Sequence, residues 1–445
     1  MFRYIKLKNY KSLVDFEVDF TEKKDTPRKL VLIYGENGAG KSNLATSFFT
    51  LSEIIRTKSN KEILDKITED MAAELKEEKD IENFINFIKN DFKETESIIK
   101  ECKTIGSKEN MVLEFGFRIN DKNGVYKIET DNEKIVAEKL DYVYNKNSAT
   151  FFEIDNNNVK INENIINKKS YYKELIELTE KYFGKHSFMS ILNYEIADKR
   201  KKFIKETINK NLLDVIKFLD SIFIQVNANS SIRGKIGLSD NILKIPELKK
   251  GTINKKAEHK LATTEKILNE IFTSIYSDIK KVYYKKETQK QQIKYKLYVK
   301  KLIYNDLIEI SFDNESTGTQ KLLQLFPFLI GCVSCETAIV DEFDSGVHDI
   351  LVKNIIENVY PSINGQLILT THNTYLLEAD IPKDSVYTFK IDAFANKKLT
   401  PITEIDGERI HPNLNIRKRY LNGVYGGTPN PMSIDFGEFA EISKE

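Results

Sequence analysis

Apolar residues recur along this chain at two different spacings, and the switches between them outline its elements. Ile5 and Leu7, then Phe16, Val18 and Phe20, alternate with polar residues around an Asn9-Tyr10-Lys11-Ser12 break, which predicts a pair of half-buried strands. Leu30-Val31-Leu32-Ile33-Tyr34 is a continuous apolar run, the pattern of a strand buried on both faces. A glycine-rich loop follows at once, and Asn43 to Ile55 has helical spacing. Residues 56–105 are helical in pattern, with Ile81, Phe84, Ile85, Ile88 and Phe92 on one face. Leu113, Phe115, Phe117 and Ile119 then alternate with polar residues, Asp121-Lys122-Asn123-Gly124 supplies turn chemistry, and Tyr126 and Ile128 resume the alternation. An antiparallel sheet is expected to about residue 162. From Tyr171 to Lys280 helices dominate, as at Ile204, Ile208, Leu212, Val215, Ile216 and Leu219, without the sustained heptad of a long coiled coil. Ile293, Tyr295, Leu297 and Val299 mark another strand, Leu322 to Leu329 an apolar helix, and Ala338-Ile339-Val340 and Leu367-Ile368-Leu369 two buried strands.

Composition narrows the class only slightly. The 445 residues are 40% hydrophobic and 30% charged, within the globular range, and the formal net charge of +1 provides no bulk attraction to nucleic acid or membranes. The three cysteines, Cys102, Cys332 and Cys335, are no disulfide framework and suit a reducing compartment. Charges interrupt Met1-Phe2-Arg3-Tyr4-Ile5-Lys6, so no signal-peptide core is read there. The stretch Leu322 to Cys335, with Gln324 and Pro327, is too short to span a bilayer. A cytoplasmic protein is expected, with no membrane partner.

Four segments carry chemistry. Gly35-Glu36-Asn37-Gly38-Ala39-Gly40-Lys41-Ser42 fits G-x-x-x-x-G-K-[ST] between a buried strand and a helix. Glycines let successive N–H groups turn toward phosphate oxygens, and the helix N-terminus adds partial positive charge. Lys41 can bridge the β- and γ-phosphates of ATP, and the Ser42 hydroxyl can ligate Mg²⁺. Thr337-Ala338-Ile339-Val340-Asp341-Glu342 ends an apolar strand in two carboxylates, Asp341 placed for the Mg²⁺ shell and Glu342 for the attacking water. Ser316-Thr317-Gly318-Thr319-Gln320 opens the apolar helix as a capped turn, which can hold an anion but taken by itself reads as an ordinary N-cap. Leu367 to Asn373 sets His372 just beyond a buried strand.

In this order the four segments resemble the ABC-type ATPases. The likeness is to their SMC-like branch of DNA-repair, chromosome-maintenance and phage-defence ATPases, including abortive-infection ATP-binding proteins. By that resemblance Gly35 to Ser42 is Walker A, with Asn37, Gly38, Ala39, Gly40 and Asn43 also near the nucleotide. Ser316 to Gln320 is the signature, Asp341-Glu342 Walker B, and His372 the switch histidine. The short Asn9-Tyr10-Lys11-Ser12 motif places Lys11 and Ser12 by the nucleotide. The implied fold class is α/β, an ABC-type P-loop NTPase core with an antiparallel β-subdomain and a helical insertion. The expected domains are an N-terminal lobe over 1–55, a helical insertion over 56–110, the β-subdomain over 111–165 and a second insertion over 166–290. A C-terminal lobe over 291–400 and a tail over 401–445 complete them. The resemblance implies a head-to-tail homodimer or higher homo-oligomer, with Ser316 and the Gly318 amide of one subunit completing the γ-phosphate shell of another. The chain departs from the family pattern at Thr317, where glycine is usual, and at His348, where transporters have aspartate. No glutamine is placed as the Q-loop residue, Gln225 having no convincing context.

The weaker signals divide. Cys332-Val333-Ser334-Cys335 is read as buried packing rather than zinc binding. Residues 280–301 hold nine lysines with Tyr283, Tyr284, Tyr295 and Tyr298 interleaved, which suits nucleic acid but also the solvated side of a half-buried strand. The turn-rich Gly423 to Pro431 resembles the C-termini of ATPases encoded beside an effector, and equally a plain capping tail. The residues after His372 lack the clustered carboxylates of a Toprim-type nuclease. The expected function is therefore an ATP hydrolase acting as sensor or scaffold of an anti-phage system with a separate nuclease or toxin effector. The alternative is a repair or recombination ATPase that clamps DNA itself. A transporter subunit ranks below both, because Gly40 and Ser316 lie too far apart.

Overall fold

The computed structural model describes residues 1–22, 25–74, 92–144, 146–156, 158–228, 231–235, 245, 247–405 and 414–428, with Gly437, Phe439 and Ile442. Its strands are β1 (Phe2–Tyr10), β2 (Leu13–Asp19), β3 (Leu30–Tyr34), β4 (Met111–Ile119), β5 (Lys122–Thr130), β6 (Ile135–Val143), β7 (Ser148–Asp155), β8 (Asn158–Ile161) and β9 (Phe223–Ala228). The chain continues with β10 (Ser231–Lys235), β11 (Lys250–Asn254), β12 (Ile279–Gln289), β13 (Gln292–Ile303), β14 (Asp306–Ser311), β15 (Thr337–Val340), β16 (Gln366–Thr370), β17 (Val386–Ile391) and β18 (Lys397–Pro401).

Among the described residues these form three sheets. The first, in order β2-β1-β4-β5-β6-β7-β8, is antiparallel throughout. Its register sets Ile5 opposite Val18 and Phe115, and Leu7 opposite Phe16 and Leu113, so the alternating apolar set falls on one face. The second, in order β10-β9-β15-β16-β3-β17-β18, is parallel from β9 to β17 with antiparallel edges. The third joins β11, β12 and β14 to β13.

The parallel sheet is covered on both faces, which is why its strands read as unbroken apolar runs. Val31, Ile33, Ile339 and Ile368 face a core shared with the helix Lys41–Ile54 and the antiparallel sheet. Leu30, Leu32, Ala338, Val340, Leu367 and Leu369 face the opposite core, with the helices Thr317–Val333 and Asp349–Val359. Gln366 ties the two sheets together: its Oε1 accepts from Phe2 N (2.7 Å), and its Nε2 donates to Phe2 O and Arg28 O (both 2.9 Å). A buried amide so fully bonded fixes how the sheets meet. The helices Lys169–Tyr182, Phe188–Asp198, Lys201–Thr207 and Lys210–Asp220 follow the antiparallel sheet, and the helix Glu258–Ile275 packs on β12 and β13. The fold is thus α/β: a mainly parallel sheet covered on both faces, with an antiparallel sheet and added helices.

Three local expectations change. The helix-dominated span from Tyr171 to Lys280 also holds β9, an interior strand of the parallel sheet. Phe223-Ile224-Gln225-Val226-Asn227 is a short run whose two polar members, Gln225 and Asn227, are occupied by the site rather than the core. The turn before β5 is made by Asn120 and Asp121, with φ of 49° and 59°, rather than farther along at Gly124. Gly124 sits within the strand, where a Cβ would lie 2.4 Å from the Phe117 ring. Of the two cysteines read as packing, Cys332 is buried and Cys335 is exposed just past its helix. Burial pushes the Cys332 thiol up to about 12, so it is inert. Within 56–105 the helices Thr57–Glu74 and Thr95–Cys102 are described, whereas Ile81, Phe84, Ile85 and Ile88 lie outside the described residues. So do Pro429 to Pro431 of the tail.

Candidate functional site

At the C-terminal end of β3 the chain turns through Gly35 to Gly40 into the helix Lys41–Ile54. Glycine is required twice over. Gly38 and Gly40 have φ of 80° and 113°, where side chains are strained, and a Cβ on Gly35 would lie 2.9 Å from Phe389 Cβ. Asn37 and Gly38 are exposed at the loop tip, while Ala39 is buried and its N–H donates to Glu36 O (3.2 Å). Lys41 is nearly buried and folds back along the loop, its Nζ donating to Gly35 O (2.7 Å) and Glu36 O (3.1 Å). Burial lowers its pKa, opposed by the carboxylates of Asp341, Glu342 and Asp344.

Parallel pairing places the end of β15 close to that loop. Asp341 is fully buried and heavily bonded: Oδ1 accepts from Thr370 Oγ1 (2.5 Å) and Ser42 Oγ (3.2 Å), and Oδ2 accepts from Asn227 N (3.4 Å). Glu342 follows in the left-handed region, φ 50°. Its N–H donates to Thr370 Oγ1 (2.8 Å), and its Oε2 accepts from Asn227 Nδ2 (2.6 Å). Such a conformation in a non-glycine residue needs surrounding bonds to hold it, and Thr370 supplies one. His372 lies beyond β16, its N–H donating to Asp344 Oδ2 (3.3 Å). Partial burial and the neighbouring Lys41 ammonium lower its imidazole pKa.

Asn37, Gly38, Gly40, Lys41, Ser42, Asn43, Glu342 and His372 line one cleft of about 360 Å³. Asn43 Nδ2 donates to Ser12 Oγ (2.7 Å), which ties the Lys11-Ser12 turn to the same edge. Lys11 has φ 47°, and its N–H donates to Cys102 O (2.6 Å). Ser316 and Gly318 are not among the lining residues of the cleft. Ser316 is exposed and caps the helix Thr317–Val333, accepting from Thr319 N (3.2 Å). Gly318 lies so close to the Asp344–Val347 turn that a Cβ there would be 2.8 Å from Gly346 O.

For a metal, Ser42 Oγ and Asp341 Oδ1 offer the hard oxygens that Mg²⁺ takes together with nucleotide phosphates and water. Among the described residues no group of three or more His, Cys, Asp or Glu could cage an ion alone. That donor set fits Mg²⁺ carried in with a nucleotide better than a resident metal.

Several residues at the site carry no local signal. Gln225 is buried at the carboxylate end of β9, its carbonyl accepting from Asp341 N (2.8 Å), with Nε2 unpartnered. Asn227 and Thr370 hold the two carboxylates as described above. Lys397 on β18 reaches the loop, donating to Ser12 Oγ (2.7 Å) and Gly38 O (2.9 Å). The one available hint was polar residues ending buried strands. The lysine-rich span 280–301 is the β12–β13 hairpin, and several of its cations are already paired. Lys285 bonds Glu309, Lys286 bonds Glu258 (3.4 Å), Lys296 bonds Asp313 (3.1 Å) and Lys301 bonds Glu315 (2.9 Å).

Comparison with known proteins gives a family match and structural likenesses. A family model described as "AAA domain, putative AbiEii toxin, Type IV TA system" matches residues 30–378. Curated protein sequences give no match. The SMC head domain from Thermotoga maritima is 12% identical with a TM-score of 0.37, covering 90% of this chain and 98% of that one. The SmcHead bound to the C-winged helix domain of ScpA is 15% identical with a TM-score of 0.44, covering 90% and 97%. The Smc head domain with an extended coiled coil, bound to the C-terminal domain of ScpA derived from Pyrococcus furiosus, is 13% identical with a TM-score of 0.41, covering 90% and 95%. No helix among the described residues is long and apolar enough to cross a membrane.

Proposed function

Because the chain belongs to the AAA-domain family of that model, we propose that it binds and hydrolyses ATP as the sensor or scaffold component of an anti-phage system with a separate effector. The observation that carries the ATPase reading is the single cleft lined by Lys41, Ser42, Glu342 and His372, with Asp341 bonded to Ser42. Loop N–H groups and Lys41 would bind the phosphates. Ser42 and Asp341 would hold Mg²⁺, which supplies charge neutralisation at the phosphates when bound. Glu342 would orient or deprotonate the attacking water, and neutral His372 would contact the terminal phosphate.

Ser316 and Gly318 would act on the nucleotide of another subunit, making the working unit a homodimer or larger. The Ser316 cap lies at an exposed helix N-terminus outside its own cleft, as a group acting across an interface must. The paired lysines of the β12–β13 hairpin speak against that face as a general nucleic-acid clamp. The effector is proposed to be a separately encoded nuclease or toxin.

The test is the purified protein with ATP and Mg²⁺, followed by phage challenge of cells that carry it beside its neighbouring gene. Lys41→Ala should abolish ATP binding and protection together. Protection that survives Lys41→Ala would sink the defence role of ATP. ATP-induced association undisturbed by Ser316→Arg would remove the shared-site reading while leaving ATP binding intact.

A further inference from the structure

A second ammonium reaches the phosphate loop, from a strand outside it and at the rim of the cleft rather than among the cleft's lining residues. Lys397 begins β18, the edge strand next to β17, just after the hairpin turn held by Asp392 Oδ1 bonds to Phe394 N (2.8 Å) and Asn396 N (2.9 Å). From that turn Lys397 extends across the loop. Its stem covers Gly40, where a Cβ would lie 3.5 Å from Lys397 Cδ. Its Nζ ends on Gly38 O (2.9 Å) and Ser12 Oγ (2.7 Å).

Both of those acceptors are neutral. No ion pair to Lys397 occurs among the described residues, whereas many other lysines on this chain have carboxylate partners. Lys397 is half-buried along its stem, its two bonds lie at the exposed edge of the loop, and burial lowers its pKa with no carboxylate opposing that shift. A partly desolvated cation held against a phosphate loop without a counter-anion gains most from an anion arriving there.

We propose that Lys397 is a phosphate-binding residue of the nucleotide site, its ammonium leaving Gly38 O and Ser12 Oγ for the phosphate chain of bound ATP or ADP. The proposal rests on the reading of this cleft as an ATP site. Lys41 then meets the phosphates from the helix end of the loop and Lys397 from the β2–β18 side.

The test is titration calorimetry of ATP and of ADP, each with Mg²⁺, at low and moderate salt. Lys397→Met keeps the stem over Gly40 and removes only the charge. It should weaken both nucleotides roughly tenfold and flatten the salt dependence, with the urea midpoint of the nucleotide-free protein unchanged. Lys397→Arg should stay within about threefold of the parent, and it keeps the test alive if the methionine variant fails to fold. Parent-like affinity and salt dependence in Lys397→Met would overturn the proposal. If Lys41→Ala abolishes binding in the same series, the ATP reading survives that result. Failure of the parent to bind ATP removes the ATP reading and the Lys397 proposal together.

Discussion

Replacing Thr370 with valine removes one hydroxyl while keeping the shape of the side chain, and that hydroxyl joins both candidate Walker B carboxylates. Thr370 Oγ1 donates to Asp341 Oδ1 (2.5 Å) and accepts from Glu342 N (2.8 Å), and Thr370 is 1% exposed. The lost bond to a charged oxygen is worth about 1.5–3 kcal/mol, and the orphaned N–H adds about 1–3 kcal/mol. The extra buried methyl returns about 1 kcal/mol. The expected net loss is about 1.5–5 kcal/mol in urea unfolding, read from midpoints at a common slope. Glu342 also loses a bond that holds it at φ 50°, so its carboxylate should leave the productive position. Phosphate release should fall tenfold or more, equivalent to about 1.4 kcal/mol of barrier, with ATP affinity little changed. Thr370→Ser keeps both bonds and should lose only the methyl, about 1 kcal/mol, with near-parent turnover. If the valine variant matches the serine variant in stability and turnover, this hydroxyl does not organise the carboxylates.

Further expectations follow from the same geometry. Asn227→Ala frees Glu342 Oε2 from its 2.6 Å bond and should change turnover with little effect on the ATP dissociation constant, as single-turnover kinetics beside equilibrium binding will show. Gly318→Ala would favour an ordinary helix by about 1 kcal/mol, but its Cβ would meet Gly346 O at 2.8 Å. Net destabilisation of about 1–3 kcal/mol in urea is therefore expected, and a stabilised variant would refute the contact. Glu138 is buried on β6, accepting from Tyr126 Oη (2.6 Å), Phe188 N (2.5 Å) and Met189 N (3.0 Å), with burial raising its pKa to about 7. The folded state then holds a proton that the unfolded state has released between pH 4.5 and 7, so this group's contribution is fully present below 4.5. That contribution should be lost as pH rises through 7, by about 3 kcal/mol relative to Glu138→Gln, and parallel stability profiles of the two proteins would count against it.

The sequence by itself determined the segments with strong local signals. The glycines, lysine and serine from Gly35 to Ser42, the carboxylates ending an apolar run, and the period-two strands of the antiparallel sheet are each legible within a window of about ten residues. Backbone chemistry at those positions depends on the residue and its near neighbours, so no partner is needed to read it. The tertiary structure alone decided which polar groups meet. Asn227 reaches Glu342 across 115 positions, and Ser12 meets Lys397 across 385. Such contacts leave no periodicity along the chain, and Gln225 and Asn227 instead disguised β9 inside a helix-rich span. Pairing β9 beside β15 turned that ambiguous run into an interior strand of the parallel sheet. Pairing β16 beside β15 set Thr370 against Asp341, making a threonine at a strand end the hub of the carboxylate pair.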